Sequence, residues 1–193
     1  PHITPMTEQE RINFKAKKFL VLLFVIASFM LFAGLTSGFI VYTGGSVDRG
    51  LKIILPQAFK LSTLLIVLSS ITMHMAYLSA KRLQLKQQKM YLLLTMGFGI
   101  GFFVLQLSSW QTLIGQGIYF VNPNASQSFI YVFTGAHLVH VFAGLMMVLV
   151  AWLGAVKNIP QANNLFRLET ASIFWHFIDI LWIYLYVFLL LNQ

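Results

Sequence analysis

The stretch FLVLLFVIASFMLFAGLTSGFIVY, residues 19–42, carries no charged side chain. A helix needs about 20 mostly apolar residues to cross the hydrocarbon core of a bilayer, so this run is long enough to span one. It is longer than the apolar core of a secretory signal and lacks an A-x-A-like exit, so it reads as a retained span. Four later runs have the same character. Together they predict an all-α integral membrane protein, a five-transmembrane-helix bundle, with helices near residues 19–43, 58–80, 90–114, 126–156 and 169–191 and a cytoplasmic N-terminal segment 1–17. Strands of a membrane barrel are excluded, because the runs are too long and do not alternate with a period of two.

Composition agrees. Hydrophobic residues make up 58% of the 193 residues and charged ones 9%, against about 25% charged in ordinary soluble domains. A soluble core of this size would lack a polar shell. The absence of cysteine removes disulfides, thiolate metal sites and thiol nucleophiles together. The net charge of +8 could suit nucleic acid or anionic lipid. Placement favours lipid and argues against nucleic acid, since the cations flank the apolar runs. Arg11, Lys15, Lys17, Lys18, Lys81, Arg82, Lys86, Lys89, Lys157 and Arg167 fall on one side of a five-helix chain, and only Arg49, Lys52 and Lys60 on the other. The positive-inside rule then predicts an N-in/C-out orientation.

Few polar groups fall inside the spans, so each is informative. A carboxylate at a helix centre is disfavoured by about 3 kcal/mol on insertion scales, so Asp179 should face protein and have a partner. His176 stands three residues earlier on the same face. The two read as a structural pair docking the fifth helix, or as a proton-relay element. His137 and His140 share a face of the fourth helix. Interhelical hydrogen bonding, haem ligation and metal ligation are their possible roles. A bis-histidine haem needs opposed partners at matching depth, and His74 and His176 match each other rather than this pair. A metal needs further ligands at that depth. Gly34 and Gly38, Gly97 and Gly101, and Ala136, His140 and Gly144 form small-residue faces suited to close helix packing. Gln106, Ser108, Ser109 and Trp110 make a polar patch near the end of the third helix. The basic link Lys81, Arg82, Lys86, Lys89 is a topology signal or a lipid headgroup contact. The Asn124-Ala-Ser126 sequon reads as chance.

Thr134-Gly135-Ala136-His137-Leu138-Val139-His140-Val141, followed by Gly144, and Phe174-Trp175-His176-Phe177-Ile178-Asp179-Ile180-Leu181-Trp182 resemble two specific signatures of haem–copper (cytochrome c) oxidase subunit III. Weaker likenesses lie in Glu169, seven before His176, in Ser69-Ser70-Ile71-Thr72, in Gln106 and Trp110, and in Phe32-Ala33-Gly34. The chain resembles the short, five-helix bacterial type. The resemblance implies a non-catalytic subunit of a terminal oxidase in aerobic respiration, in the bacterial cytoplasmic membrane. It implies packing on subunit I, contact with other oxidase subunits, a larger respiratory supercomplex as a further level of assembly, and a bound phospholipid. Haems and copper are expected on partner subunits, with no cofactor, metal or redox centre on this chain. A quinol oxidase or a nitric-oxide reductase system is the alternative within the family, and a membrane cytochrome b the alternative outside it. Two positions depart from the family pattern: Ser28 and Ser109 stand where it has glutamates. A carboxylate role there cannot be carried over, and a divergent second copy kept for assembly is one reading. Lys60-Leu61-Ser62-Thr63 likewise departs from the family's Asn-Thr.

Overall fold

The computed structural model describes residues 5–193, so residues 1–4 of the expected segment 1–17 lie outside the described residues. Five helices follow in order: α1 (Glu8–Thr43), α2 (Ala58–Lys81), α3 (Leu85–Gly115), α4 (Ala125–Val156) and α5 (Gln161–Leu191), with a short 3-10 turn at Val47–Arg49. No strand occurs among the described residues. The shortest helix, α2, has 24 residues. At about 1.5 Å per residue it rises about 36 Å, more than the ~30 Å hydrocarbon core. All five helices are long and apolar enough to cross a membrane, and the chain is a multi-pass membrane protein.

Three helices begin earlier than apolar length alone predicts. α1 starts at Glu8 rather than near residue 19, α3 at Leu85 rather than near 90, and α5 at Gln161 rather than near 169. Apolar length measures only the part in hydrocarbon, and a helix runs on into water until something stops it. For α1 the stop is a capping box. The Glu10 amide donates to Thr7 Oγ1 at 3.3 Å, and the Thr7 amide donates to Glu10 Oε2 at 2.9 Å. These bonds serve amides that have no partner inside the helix. The turn after α2 is closed by Leu83 in the left-handed region, and the turn after α4 by Asn158 in the same conformation.

One end of the bundle is sealed by an extended stretch. Leu51, Ile53 and Leu55 point inward and are buried, while Lys52 and Ile54 between them are exposed. This is the period of two expected of extended backbone. Asn124 Nδ2 and Ser126 Oγ both donate to the Gly50 carbonyl, at 2.8 and 3.1 Å. Asn124 Oδ1 also accepts from the Ser126 amide at 3.1 Å, which makes Asn124 the N-cap of α4. The sequon residues thus have a structural role at this helix start.

α2 and α3 form a hairpin. α5 is the most buried helix and packs on α1, α2 and α4. α1 is the least buried and leans mainly on α4 and α5. The starts of α1, α3 and α5 share one end. Gln161 Nε2 there donates to the Ala80 carbonyl and to Gln88 Oε1, at 3.2 and 2.9 Å. Outward faces are rich in large apolar side chains such as Met30, Phe19 and Ile180, as a lipid-facing surface requires.

Candidate functional site

The interior is organised around α5, and the two signature segments lie within it. Trp175 is fully buried and its indole N–H donates to Ser69 Oγ of α2 at 3.0 Å. Its ring lies over two glycines. A Cβ added at Gly99 would stand 2.7 Å from the Trp175 ring and 2.8 Å from Leu145, and one added at Gly144 would stand 3.0 Å from both Trp175 and Ile178. These are close approaches of α5 to α3 and α4, and near the α4–α5 turn a Cβ at Gly154 would stand 2.6 Å from Asn164 Oδ1. The expected Gly34–Gly38 and Gly97–Gly101 faces do not serve this way: Gly34 and Gly97 border open space, and only Gly101 is tightly met, by Leu65 at 3.1 Å. Four-residue spacing places glycines on one face without saying whether a neighbour comes to it.

Indole-to-hydroxyl bonds recur. Trp182 Nε1 donates to Thr63 Oγ1 at 3.0 Å, and Trp110 Nε1 donates to Thr134 Oγ1 at 2.8 Å. Thr134 in turn donates to the Ile130 carbonyl. Three of the four tryptophans therefore tie one helix to another through Ser or Thr. A Thr72–Thr95 hydroxyl bond of 2.8 Å joins α2 to α3, and a Thr36–Tyr184 bond of 2.9 Å joins α1 to α5. Sequence reasoning missed these partners. The aromatic and hydroxyl residues were visible as types, but their pairing depends on helix rotation.

The two histidines of α4 are committed to the fold. His137 is fully buried between the Phe102 and Trp182 rings, each with its centroid 5.4 Å away. Its Nε2–H donates to the Ile178 carbonyl of α5 at 2.8 Å. His140 donates from Nδ1 to the Ala136 carbonyl at 2.7 Å, so its Nε2 accepts from Ser28 Oγ at 2.8 Å. Phe24 stacks on the His140 ring and Phe32 meets it edge-on. The Ser28 hydroxyl stands where the resemblance leads one to expect a carboxylate, and it binds α1 to α4 through that imidazole. Ser109, the other departure, is buried and donates to the Leu105 carbonyl one turn back.

His176 and Asp179 do not form the expected pair. His176 is half-buried and turns to α2, where Ser70 Oγ lies 2.6 Å from Nδ1. Asp179 does face protein, at 2% exposure, but neither carboxyl oxygen has a hydrogen-bond partner among the described residues. Ser70 lies beside that carboxyl without the geometry of a bond to it. Residues three apart on a helix differ by about 60° in direction, enough to send the two side chains to different neighbours. Glu169 instead finds a cation: Lys18 Nζ lies 2.7 Å from Oε1, linking α1 to α5. Lys18 is therefore more than a topology signal.

On the α2–α3 turn, Lys81, Arg82 and Lys86 are exposed and Lys89 is partly so. Lys81 Nζ lies over the Tyr77 ring at 4.6 Å. None of the four joins an ion pair among the described residues. No group of three His, Asp or Glu side chains converges as a metal site among the described residues. Many interior donors and acceptors bind neighbouring helices and aromatic rings fill the space between them, while Gln106, Asn164 and Asp179 keep side-chain polar atoms with no partner among the described residues.

Fold and interior together define a polytopic membrane protein whose buried indoles, hydroxyls and α4 imidazoles bind one helix to the next. The chain belongs to the cytochrome c oxidase subunit III family, whose model matches residues 7–192. It is 28% identical over 189 residues to the cytochrome bo(3) ubiquinol oxidase subunit 3 of Buchnera aphidicola subsp. Acyrthosiphon pisum, covering 95% of this chain and 90% of the relative. The corresponding protein of Buchnera aphidicola subsp. Schizaphis graminum is 30% identical over 91% of this chain and 94% of the relative. The cytochrome c oxidase subunit 3 of Thermostichus vulcanus is 26% identical over 88% of this chain and 84% of the relative.

Proposed function

We propose that this chain is subunit III of a bacterial haem–copper terminal oxidase, a non-catalytic component that packs on the large redox subunit and supports its stability and proton delivery. The observation that carries the reading is the family match over residues 7–192, with both signature segments folded into the packing core. Haems and copper sit on partner subunits in this reading. Its support on this chain is that His137 and His140 are engaged by Ile178, Ala136 and Ser28. The protein resides in the cytoplasmic membrane with its basic end inside. Ten of thirteen Lys and Arg residues support that orientation. The basic turn Lys81–Lys89 contacts anionic headgroups, each charge contributing about 1 kcal/mol near the surface.

Affinity purification of the tagged chain in mild detergent tests the proposal. A haem-bearing large subunit should co-purify and give the visible spectrum, while the chain separated from it gives no Soret band. Recovery without any haem-bearing subunit would overturn the reading, and a Soret band on the separated chain would favour a cytochrome b. Two of the relatives above are ubiquinol oxidase subunits, which favours quinol as the alternative electron donor. A dinuclear copper site in a co-purified subunit decides for cytochrome c.

A further inference from the structure

The outward surface of α2 and α5 places imidazoles where a bilayer offers no hydrogen bonds. His74 is exposed on α2, and its ring centroid lies 6.4 Å from that of His176. His176 gives Nδ1 to Ser70, and its Nε2 is not sealed in the interior. The position is deep. Lys81 closes α2, and His74 lies about 10 Å inside it at ~1.5 Å per residue. Ser70 and His176 lie further in, near the middle of their helices. An imidazole is too short to reach the headgroups from there, unlike the long stems of Lys and Arg. Acyl chains would leave these nitrogens unsatisfied, since hydrocarbon offers neither donor nor acceptor.

The rest of the perimeter differs. Through the middle of α3 and α4 the outward positions are filled by Leu93, Ile100, Val104, Phe142, Met146 and Val150; the exposed Gln111 lies within about 6 Å of the end of α3, and the exposed Ser108 carries a hydroxyl short enough to bond its own helix. On α1 the exposed Ser37 carries a short hydroxyl that can bond a carbonyl of its own helix. A ring nitrogen of His74 or His176 needs an acceptor or donor from outside. We propose that the α2–α5 face is the surface on which the larger oxidase subunit docks, through a transmembrane helix whose Asp, Glu, Asn or Gln oxygen accepts from the His74 and His176 rings. The partner's identity rests on the function proposed above; the choice of face rests on the exposed imidazoles.

Photo-crosslinking in native membranes tests the face. Benzoylphenylalanine replaces the exposed Val67 or Ile71 of α2, or Val104 of α3, in the assembled complex. The α2 probes should give adducts with the haem-bearing subunit, and Val104 roughly tenfold less. Adducts of the α2 probes only with lipid, or only with a second copy of this chain, overturn the proposal. Adducts of the haem-bearing subunit from Val104 alone overturn the face while the oxidase reading stands. Absence of any co-purifying haem-bearing subunit overturns both. Substitution supplies an independent arm. His74→Leu should lower recovery of this chain with the complex roughly tenfold in mild detergent, the equivalent of about 1.4 kcal/mol, and His74→Gln should restore part of it. A lipid-covered face predicts the opposite, since leucine suits hydrocarbon better than imidazole.

Discussion

Trp175 is held on three sides, by Gly99, by Gly144 and by the Ser69 hydroxyl. Its ring is stiff and cannot retreat from an added methyl. Gly99→Ala should therefore destabilise the folded bundle by about 1–3 kcal/mol, the usual range for overpacking. The measurement is thermal or denaturant unfolding of the purified protein in detergent micelles; an unchanged midpoint would show that the cradle is looser than its distances. Trp175→Phe should lower stability by on the order of 2 kcal/mol, because the indole bond is lost and the volume is left unfilled. Asp179→Asn should change it by less than about 1 kcal/mol, since nothing in the described chain binds that carboxyl and the amide has the same shape. The order of these two variants tests where the docking of α5 resides. If Asp179→Asn proves the more damaging in the isolated chain, the hydroxyl–indole account of α5 is wrong. Sequence marked both residues as parts of one signature. It could not rank them, because the ranking depends on which side chains of other helices arrive opposite.

At the scale of elements, α1 is the weakly held helix. It is tied to α4 by Ser28 and His140, and to α5 by Thr36 and Tyr184 and by Lys18 and Glu169. The ion pair is about a third exposed on each side, so its contribution falls in the range of surface pairs, about 0–1 kcal/mol, and is screened by salt. The His140–Ser28 bond is buried on both sides. Ser28→Ala leaves the imidazole nitrogen without a donor and should loosen α1 by about 1–3 kcal/mol. Hydrogen exchange on α1 amides would report this as faster opening of α1, with α2 and α3 unaffected. Equal acceleration in all helices would mean that α1 unfolds only with the rest. The apolar run revealed that α1 exists and crosses the membrane. Its attachment was less legible. A serine at Ser28 reads as a missing carboxylate in the sequence, and only the placement of α4 shows the hydroxyl meeting His140.

For the whole molecule, helix number and the gross distribution of charge were readable because both are properties of long runs. Hydrocarbon thickness sets the length of an apolar segment, and Lys and Arg are costly to translocate. The basic end observed in the bundle gathers the start of α1, the α2–α3 turn and the α4–α5 turn, as the contacts Lys18–Glu169 and Gln161–Gln88 require. The opposite end is closed by the Leu51–Leu55 stretch and the Asn124 cap. These ends differ in chemistry, so the bundle has one preferred way to sit. The absence of native cysteine makes that testable without background. A single cysteine at Lys86, on the exposed α2–α3 turn, should react with a membrane-impermeant maleimide only in inside-out vesicles. One at Tyr119, 55% exposed at the other end, should react only in intact cells with a permeabilised outer layer. Neither position contributes to the core, so folding should survive both changes. Reaction of Lys86→Cys from the outside would invert the orientation and remove the charge argument on which it stands. Reaction of Tyr119→Cys from neither side would place that loop inside the headgroup layer or against a partner chain, and leave the helix directions as described.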